Sequence, residues 1–117
     1  MPIERRAGYR LWIGGPVPPG SAGITLGSLV IMRKDCTNPD DLLAHELAHV
    51  RQFARLGWRR FMAQYLGSYF RSRFKGLSHH NAYLNIPLEI DARWQAACAA
   101  AMRDGRPMPP MPAQLSW

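Results

Sequence analysis

The feature that most constrains the fold of this chain is a predicted helix over residues 39 to 56, which contains the sequence His45-Glu46-Leu47-Ala48-His49. Asn38 is placed to cap this helix, Pro39 suits its first position, and two aspartates follow near the positive end of the helix dipole. Residues four apart lie on one side of an α-helix, separated by roughly 6 Å along its axis. The imidazoles of His45 and His49 can therefore share one tetrahedral zinc ion.

The helix has a predicted buried side and a predicted cleft side. The buried side comprises Leu43, Leu47, Val50 and Ala54, and the cleft side comprises Leu42, His45, Glu46, His49 and Phe53. Glu46 would lie beside a water molecule bound to the ion, where it can accept the proton of a water whose pKa the metal lowers from about 15.7 to about 7. The alternative is a surface helix whose histidines and glutamate interact with water or with Arg51.

A zinc site needs a third protein ligand, and the chain offers few. The candidates are His79, His80, Glu89, Asp91, Asp104, Cys36 and Cys98. Glu89 is favoured because it follows Pro87, which opens a predicted helix from Pro87 to about Met102. Two histidines, one glutamate and one open position for water are typical of a catalytic zinc site. Alternatively, Glu89 only complements the helix dipole.

At these residues the chain resembles the gluzincin zinc peptidases, in which H-E-x-x-H on one helix is completed by a glutamate on a later helix. Residues 24 to 102 are also similar to small zincin-like domains of no settled function. In several such families the glutamate stands in E-x-x-A-D or E-x-x-x-D; here Glu89 and Ala92 match, and Arg93 replaces the final aspartate. That aspartate orients a ligand histidine in those families. Because an arginine cannot accept an imidazole N–H, Asp91 or a backbone carbonyl would take that role.

The resemblance implies a zinc-dependent metallopeptidase with Zn²⁺ as cofactor and a peptide or protein as substrate. The expected metal ligands are His45, His49 and Glu89, with Glu46 activating the water that attacks the peptide carbonyl. Tyr83 could stabilise the oxyanion, although simple packing is an alternative. The competing function is a zinc-binding protein-interaction module without significant peptidase activity. A third possibility is a domain that binds no metal.

The predicted fold class is α+β: a small N-terminal antiparallel sheet or hairpin packed on about three helices, as in a minimal zincin-like domain. The domain is expected to span residues 1–104, with its core at about 24–102. One short strand is predicted at Tyr9 to Ile13, and one bent strand or two short ones between Ile24 and Arg33.

The remaining segments follow from their local patterns. Gly57 ends the first helix, and a second helix is predicted from Trp58 to about Phe74. Its predicted buried stripe comprises Trp58, Phe61, Met62, Tyr65, Leu66 and Tyr69. Ser78 is placed to cap a short helical turn that leaves His79 and His80 partly exposed.

Two further segments bear on access to the site. Leu29 to Arg33 could be an exposed sheet edge that binds an extended substrate, or a core strand. Residues 105–117, rich in proline and methionine, predict a disordered tail or a strap, with the hypothesis that the strap covers the zinc cleft. A single small domain predicts a shallow cleft.

The net charge of +7 indicates a basic surface that could attract an acidic partner, anionic lipid or nucleic acid. No nucleic-acid-binding motif is present in the sequence, so specific nucleic-acid binding is not expected. The sequence has no apolar run long enough to predict a membrane span, and its start lacks the apolar core of a secretion signal. A cytoplasmic location is therefore expected. Cys36 and Cys98 do not make a disulfide framework.

Overall fold

A computed structural model describes residues 3–115 of the chain. In chain order the elements are β1 (Ile3–Arg6), β2 (Tyr9–Ile13), β3 (Gly23–Leu26), β4 (Leu29–Met32), α1 (Pro39–Phe74), α2 (His79–Leu84), α3 (Pro87–Asp104) and a short 3₁₀ turn (Ala113–Leu115). The four strands form one sheet at the N-terminus. α1 packs on this sheet, and α2 and α3 pack on α1 and on each other. The predicted α+β class is confirmed.

The sheet has the strand order β1-β2-β4-β3 and is mixed. β1 pairs with β2 and β3 with β4 in antiparallel hairpins, whereas β2 and β4 run parallel. The predicted antiparallel sheet or hairpin did not include the parallel pairing of β2 with β4, which joins the two hairpins. β1 was also missed, because Ile3-Glu4-Arg5-Arg6 has a single apolar residue and no alternation.

Residues 24–33 form the second of the two predicted alternatives, a pair of short strands. Gly27 has φ +65° at the turn between them, a conformation that glycine adopts without strain. Of the two alternatives for Leu29 to Arg33, the structure has the core strand and not the exposed edge, since β4 lies between β2 and β3. Val30, Ile31 and Met32 are all buried, as expected for a strand covered on both faces. The edge strands are β1 and β3.

α1 consists of two helical segments, 39–56 and 58–74, that meet at Gly57 (φ 79°, ψ 166°). These bounds match the two predicted helices. In the predicted buried stripe of the second segment Phe61 is buried, but Trp58 and Leu66 are exposed. Beyond Gly57 the chain folds back, so that the rings of Phe53 and Phe61 stack with centroids 3.7 Å apart. Pro39 opens the helix as predicted, but Asn38 makes no side-chain capping hydrogen bond.

The buried side of the first segment differs in part from the prediction. Leu43 and Val50 do pack on the sheet, but Ala54 is exposed. The fully buried residues of this segment lie instead on the predicted cleft side and next to it: Glu46, Ala48, His49, Gln52 and Phe53. The reason is that the second segment and α3 both pack against that side.

The remaining helices begin where the sequence predicts. The Ser78 hydroxyl accepts a hydrogen bond from the Asn81 backbone N–H and caps α2. α3 begins at Pro87 and ends at Asp104, and the following Gly105 adopts a left-handed conformation. α3 packs extensively on α1, and this contact carries its first turn to the histidines.

The C-terminal segment is a strap rather than a free tail over its described part. The Trp94 indole N–H donates to the Pro109 carbonyl at 3.2 Å, and Leu115 is buried. The strap therefore runs along α3, and residues 105–115 do not line the cleft described below. The hypothesis that it covers the site does not hold for these residues; Ser116 and Trp117 lie outside the described part. Within residues 3–115, no helix has the combined length and hydrophobicity needed to cross a bilayer.

Candidate metal centre

His45 and His49 lie one turn apart on the first segment of α1, with ring centroids 5.0 Å apart. The Nε2 atoms of both rings face the same oxygen of Glu89, since Oε1 lies 3.0 Å from His45 and 3.2 Å from His49. Glu89 comes from the first turn of α3, as predicted, and is 4% exposed. The three predicted ligands are thus brought together by the packing of two helices.

The Glu89 oxygen lies from each histidine nitrogen at nearly the spacing found around a zinc ion. Zinc bonds to nitrogen and oxygen of about 2.0–2.1 Å in a tetrahedron put neighbouring ligand atoms about 3.3 Å apart. The two Nε2–Oε1 distances of 3.0 and 3.2 Å are close to that value. A donor set of two imidazoles and one carboxylate suits zinc chemically and leaves one corner open. The residues present therefore fit the metal.

The carboxylate of Glu89 and the neighbouring imidazole of His49 shift each other's pKa. Burial alone would raise the pKa of Glu89, but hydrogen bonds from His45, His49 and Tyr65 outweigh it and hold that pKa well below its usual range. Burial alone would lower the pKa of His49, whereas the hydrogen bond and charge of Glu89 raise it. Glu89 is consequently a carboxylate at neutral pH, the form that binds a cation.

Gln52 fixes the orientation of His49. Its amide nitrogen donates to the Leu88 carbonyl at 2.9 Å and to the Asp91 carboxylate at 2.8 Å, so its amide oxygen must face the ring. That oxygen lies 2.8 Å from His49 Nδ1, which therefore donates to it. Nδ1 thus keeps its proton, and Nε2, which hydrogen-bonds Glu89, is the nitrogen that would lose its proton and offer a lone pair to a metal.

The predicted role of Asp91 needs a correction. Within the described part of the chain, neither Asp91 nor a backbone carbonyl hydrogen-bonds the His49 ring, and Asp91 acts on it through Gln52. Gln52 reaches the ring because it lies three residues further along the same helix. Arg93 lies in the cleft wall and donates to the Leu84 carbonyl at 2.5 Å, and its buried Nη1 has no hydrogen-bond partner within residues 3–115.

Tyr65 is a second residue that holds the site and was not predicted to do so. Its hydroxyl donates to Glu89 Oε2 at 2.5 Å. Burial and the charge of Glu89 raise the pKa of Tyr65, so the hydroxyl keeps its proton. The aromatic spacing of the second segment predicted only a core position for Tyr65. Its ring does pack on Phe61.

Glu46 lies beside the ligands and is 5% exposed. The Thr25 hydroxyl on β3 contacts it twice, at 2.6 Å from Oε2 and 3.1 Å from the backbone carbonyl. The edge strand β3 is thereby fixed next to the carboxylate. No pattern in the sequence connects Thr25 with Glu46, because the contact depends on how the sheet sits on α1.

Tyr83, on α2, lies in the wall of the cleft with 37% of its surface exposed. Burial, followed by the charge of Glu89, raises its pKa to about 12. The hydroxyl is therefore protonated at neutral pH and able to donate a hydrogen bond. Its predicted catalytic role remains a prediction.

The other ligand candidates do not join the metal centre. Among residues 3–115, His45, His49 and Glu89 are the only three such side chains close enough to hold one ion. The candidates outside the cluster are His79, His80, Asp91, Asp104, Cys36 and Cys98. His79 and His80 lie further out in the cleft wall, and the Tyr69 hydroxyl lies 2.7 Å from His79 Nδ1. Both cysteines are free thiols.

Two cavities meet at the cluster. A broad open cleft of about 750 Å³ runs past His45, Glu46 and Tyr83. A smaller cavity of about 280 Å³ extends from the same residues toward Phe53 and Trp58, and its walls are mainly apolar. The predicted cleft was shallow, whereas the fold-back at Gly57 gives it this deeper branch.

Comparison of the chain with protein-family models, with curated proteins and with solved structures gives no match.

Proposed function

We propose that this protein is a zinc-dependent peptidase with His45, His49 and Glu89 as metal ligands and Glu46 as general base. The observation that carries the proposal is the convergence of both histidine Nε2 atoms on one oxygen of Glu89, next to an open cleft. A closed structural zinc site would need a fourth protein ligand, and the described residues supply three.

Zinc bound by these ligands would acidify a water molecule and polarise a substrate carbonyl. Glu46 would accept the proton at one carboxylate oxygen and pass it to the leaving nitrogen. Thr25 supports this step because its hydrogen bond holds Oε2 and leaves Oε1 for the proton. The protonated hydroxyl of Tyr83 could donate to the developing oxyanion.

The substrate would bind as an extended strand beside β3. This strand pairs with β4 on one side only, and Thr25 links it to Glu46. A peptide added to its free edge would pass over the general base. The apolar cavity lined by Phe53 and Trp58 would favour an apolar side chain next to the cleaved bond.

The proposal is tested by metal analysis and a peptide-library digest with the purified protein. Zinc should be present at about one ion per chain, and Glu46→Gln should keep the zinc while losing about 2 or more orders of magnitude in turnover. The matched control is Gln64→Glu, an exposed position on the same helix, which should leave activity unchanged.

A zinc-binding interaction module is the competing function, and the basic surface described below is what favours it. Such a protein would hold zinc without cleaving any library peptide, and Glu46→Gln would leave its partner affinity unchanged. Activity that survives in Glu46→Gln would also contradict the peptidase proposal. The cytoplasmic location and the acidic partner remain predictions.

A further inference from the structure

The second segment of α1 carries an exposed row of large apolar side chains. Leu66, Phe70 and Phe74 are spaced by four residues and are 43%, 52% and 91% exposed. They lie roughly opposite Phe61 and Tyr65, which pack inward. We call these three residues the apolar stripe. Single exposed apolar side chains are common on soluble proteins, but a continuous row along two turns of one helix indicates a binding surface.

Basic side chains surround this stripe. At about 100° per residue, Arg60 and Arg71 fall on one side of it and Arg73 on the other. Arg59 lies in line with the stripe about two turns before its N-terminal end, and Lys75 lies at its C-terminal end; all five side chains are exposed. None of the five forms an ion pair with any acidic group in residues 3–115.

The sequence around the stripe has the same one-sided charge. Between Leu47 and Leu88 there is no aspartate or glutamate. The basic residues of this stretch are Arg51, Arg55, Arg59, Arg60, Arg71, Arg73 and Lys75. A surface without internal neutralisation favours an anionic partner.

We propose that this face binds the surface of an anionic lipid bilayer. A helix with an apolar row between basic residues lies in the headgroup region, with the apolar side chains at the acyl boundary and the cations against lipid phosphates. This is a peripheral attachment and needs no membrane-spanning helix. It is independent of the proposed peptidase activity.

The observations favour lipid over the other possible occupants. The phosphates of a nucleic acid would bind the arginines. They would make no favourable contact with Leu66 or with a row of apolar side chains parallel to the helix axis. A second copy of this chain on the same face would bring the arginines of both copies together, at an electrostatic cost. An acidic protein remains as an outcome that the experiment separates.

The test is vesicle co-sedimentation of the full-length protein. It should pellet with phosphatidylcholine vesicles that contain phosphatidylserine, much less with phosphatidylcholine alone, and less as salt is raised. Phe70→Ser/Phe74→Ser should weaken this binding at least about tenfold, since it removes the apolar contacts. Arg71→Glu/Arg73→Glu should weaken it as well. Circular dichroism should show all variants folded.

The matched control is Met108→Ser/Met111→Ser, which removes two apolar side chains with 52% and 57% exposure from the C-terminal strap. It should bind vesicles like the wild type. The proposal is overturned if the wild type ignores anionic vesicles at low salt, or if the phenylalanine variant binds as well as the control. It is equally overturned if the wild type binds duplex DNA or acidic polypeptide more tightly than vesicles, or forms a dimer that the phenylalanine variant loses.

Discussion

The Tyr65 hydroxyl donates a hydrogen bond to Oε2 of Glu89 at 2.5 Å, while both histidine Nε2 atoms face Oε1 of the same carboxylate. The two oxygens of Glu89 thus have separate roles: one is held by the protein, and the other is available to a metal. This arrangement depends on the fold-back at Gly57. Sixteen residues of straight helix would separate His49 from Tyr65 by roughly 24 Å, whereas their ring centroids are 6.5 Å apart.

Removing the hydroxyl of Tyr65 should weaken zinc binding. Tyr65→Phe keeps the ring that packs on Phe61 but frees Oε2 of Glu89, so the carboxylate can rotate. We expect zinc affinity to fall about 10–100-fold, the usual effect of losing a partner of a metal ligand. Competition with a chromophoric chelator measures it. Tyr69→Phe, whose hydroxyl contacts only His79, is the control and should leave the affinity unchanged; equal losses in both variants would contradict the role of Tyr65.

Gln52 should contribute to both stability and metal binding. Gln52→Leu leaves His49 Nδ1 without its buried partner, whereas the Asp91 carboxylate keeps its hydrogen bond from Gln95. An unsatisfied buried polar group costs about 1–3 kcal/mol, so the free energy of unfolding should drop by about that amount. Zinc affinity should fall too, because the ring loses its fixed orientation. Urea unfolding and chelator competition measure the two effects.

The control for Gln52 is Gln64→Leu on the exposed side of the same helix, which should change either quantity little. A Gln52→Leu protein as stable as this control would show that the network around His49 is not needed for the fold.

Thr25 should affect turnover without affecting metal content. Thr25→Val has nearly the same shape but lacks the hydroxyl that holds Glu46 Oε2 at 2.6 Å. If Glu46 is the general base, kcat should fall about tenfold or more, with zinc retained. Thr37→Val, exposed at the cleft rim, is the control. Unchanged kcat in Thr25→Val would mean that this hydrogen bond does not position the base.

Gly57 should be needed for its backbone conformation alone. A Cβ at this position would contact nothing within 4 Å, but φ is +79°. Gly57→Ala should therefore destabilise the protein by about 1–3 kcal/mol. Gly67→Ala, at an open position inside the helical second segment, should instead stabilise it by about 0.5–1 kcal/mol. Chemical unfolding of both variants measures the difference, and a change of the same sign in both would contradict this explanation.

The sequence predicts those parts of the fold and the site that depend on local spacing. His45 and His49 follow from helical periodicity, and Glu89 from its place in the first turn after Pro87. The break in α1 follows from Gly57, which has a positive φ. These features need no knowledge of how the elements pack.

What the sequence did not predict depends on contacts between distant elements. Tyr65 meets Glu89 only because α1 folds back, and Thr25 meets Glu46 only because β3 is an edge strand of this particular sheet. The parallel pairing of β2 and β4 is also a tertiary result, since short strands carry no signal for their partner. The contact of Gln52 with His49 could have been predicted from the sequence, because residues three apart on a helix are neighbours.

X-ray absorption spectroscopy at the zinc edge tests the central claim most directly, because it reports the ligand atoms of the bound metal. The proposed site should hold zinc with two imidazole nitrogens and oxygen ligands at about 2.0–2.2 Å and no sulfur, and Glu89→Ala should lose that zinc. A sulfur shell at about 2.3 Å, or an unchanged spectrum in Glu89→Ala, would contradict it.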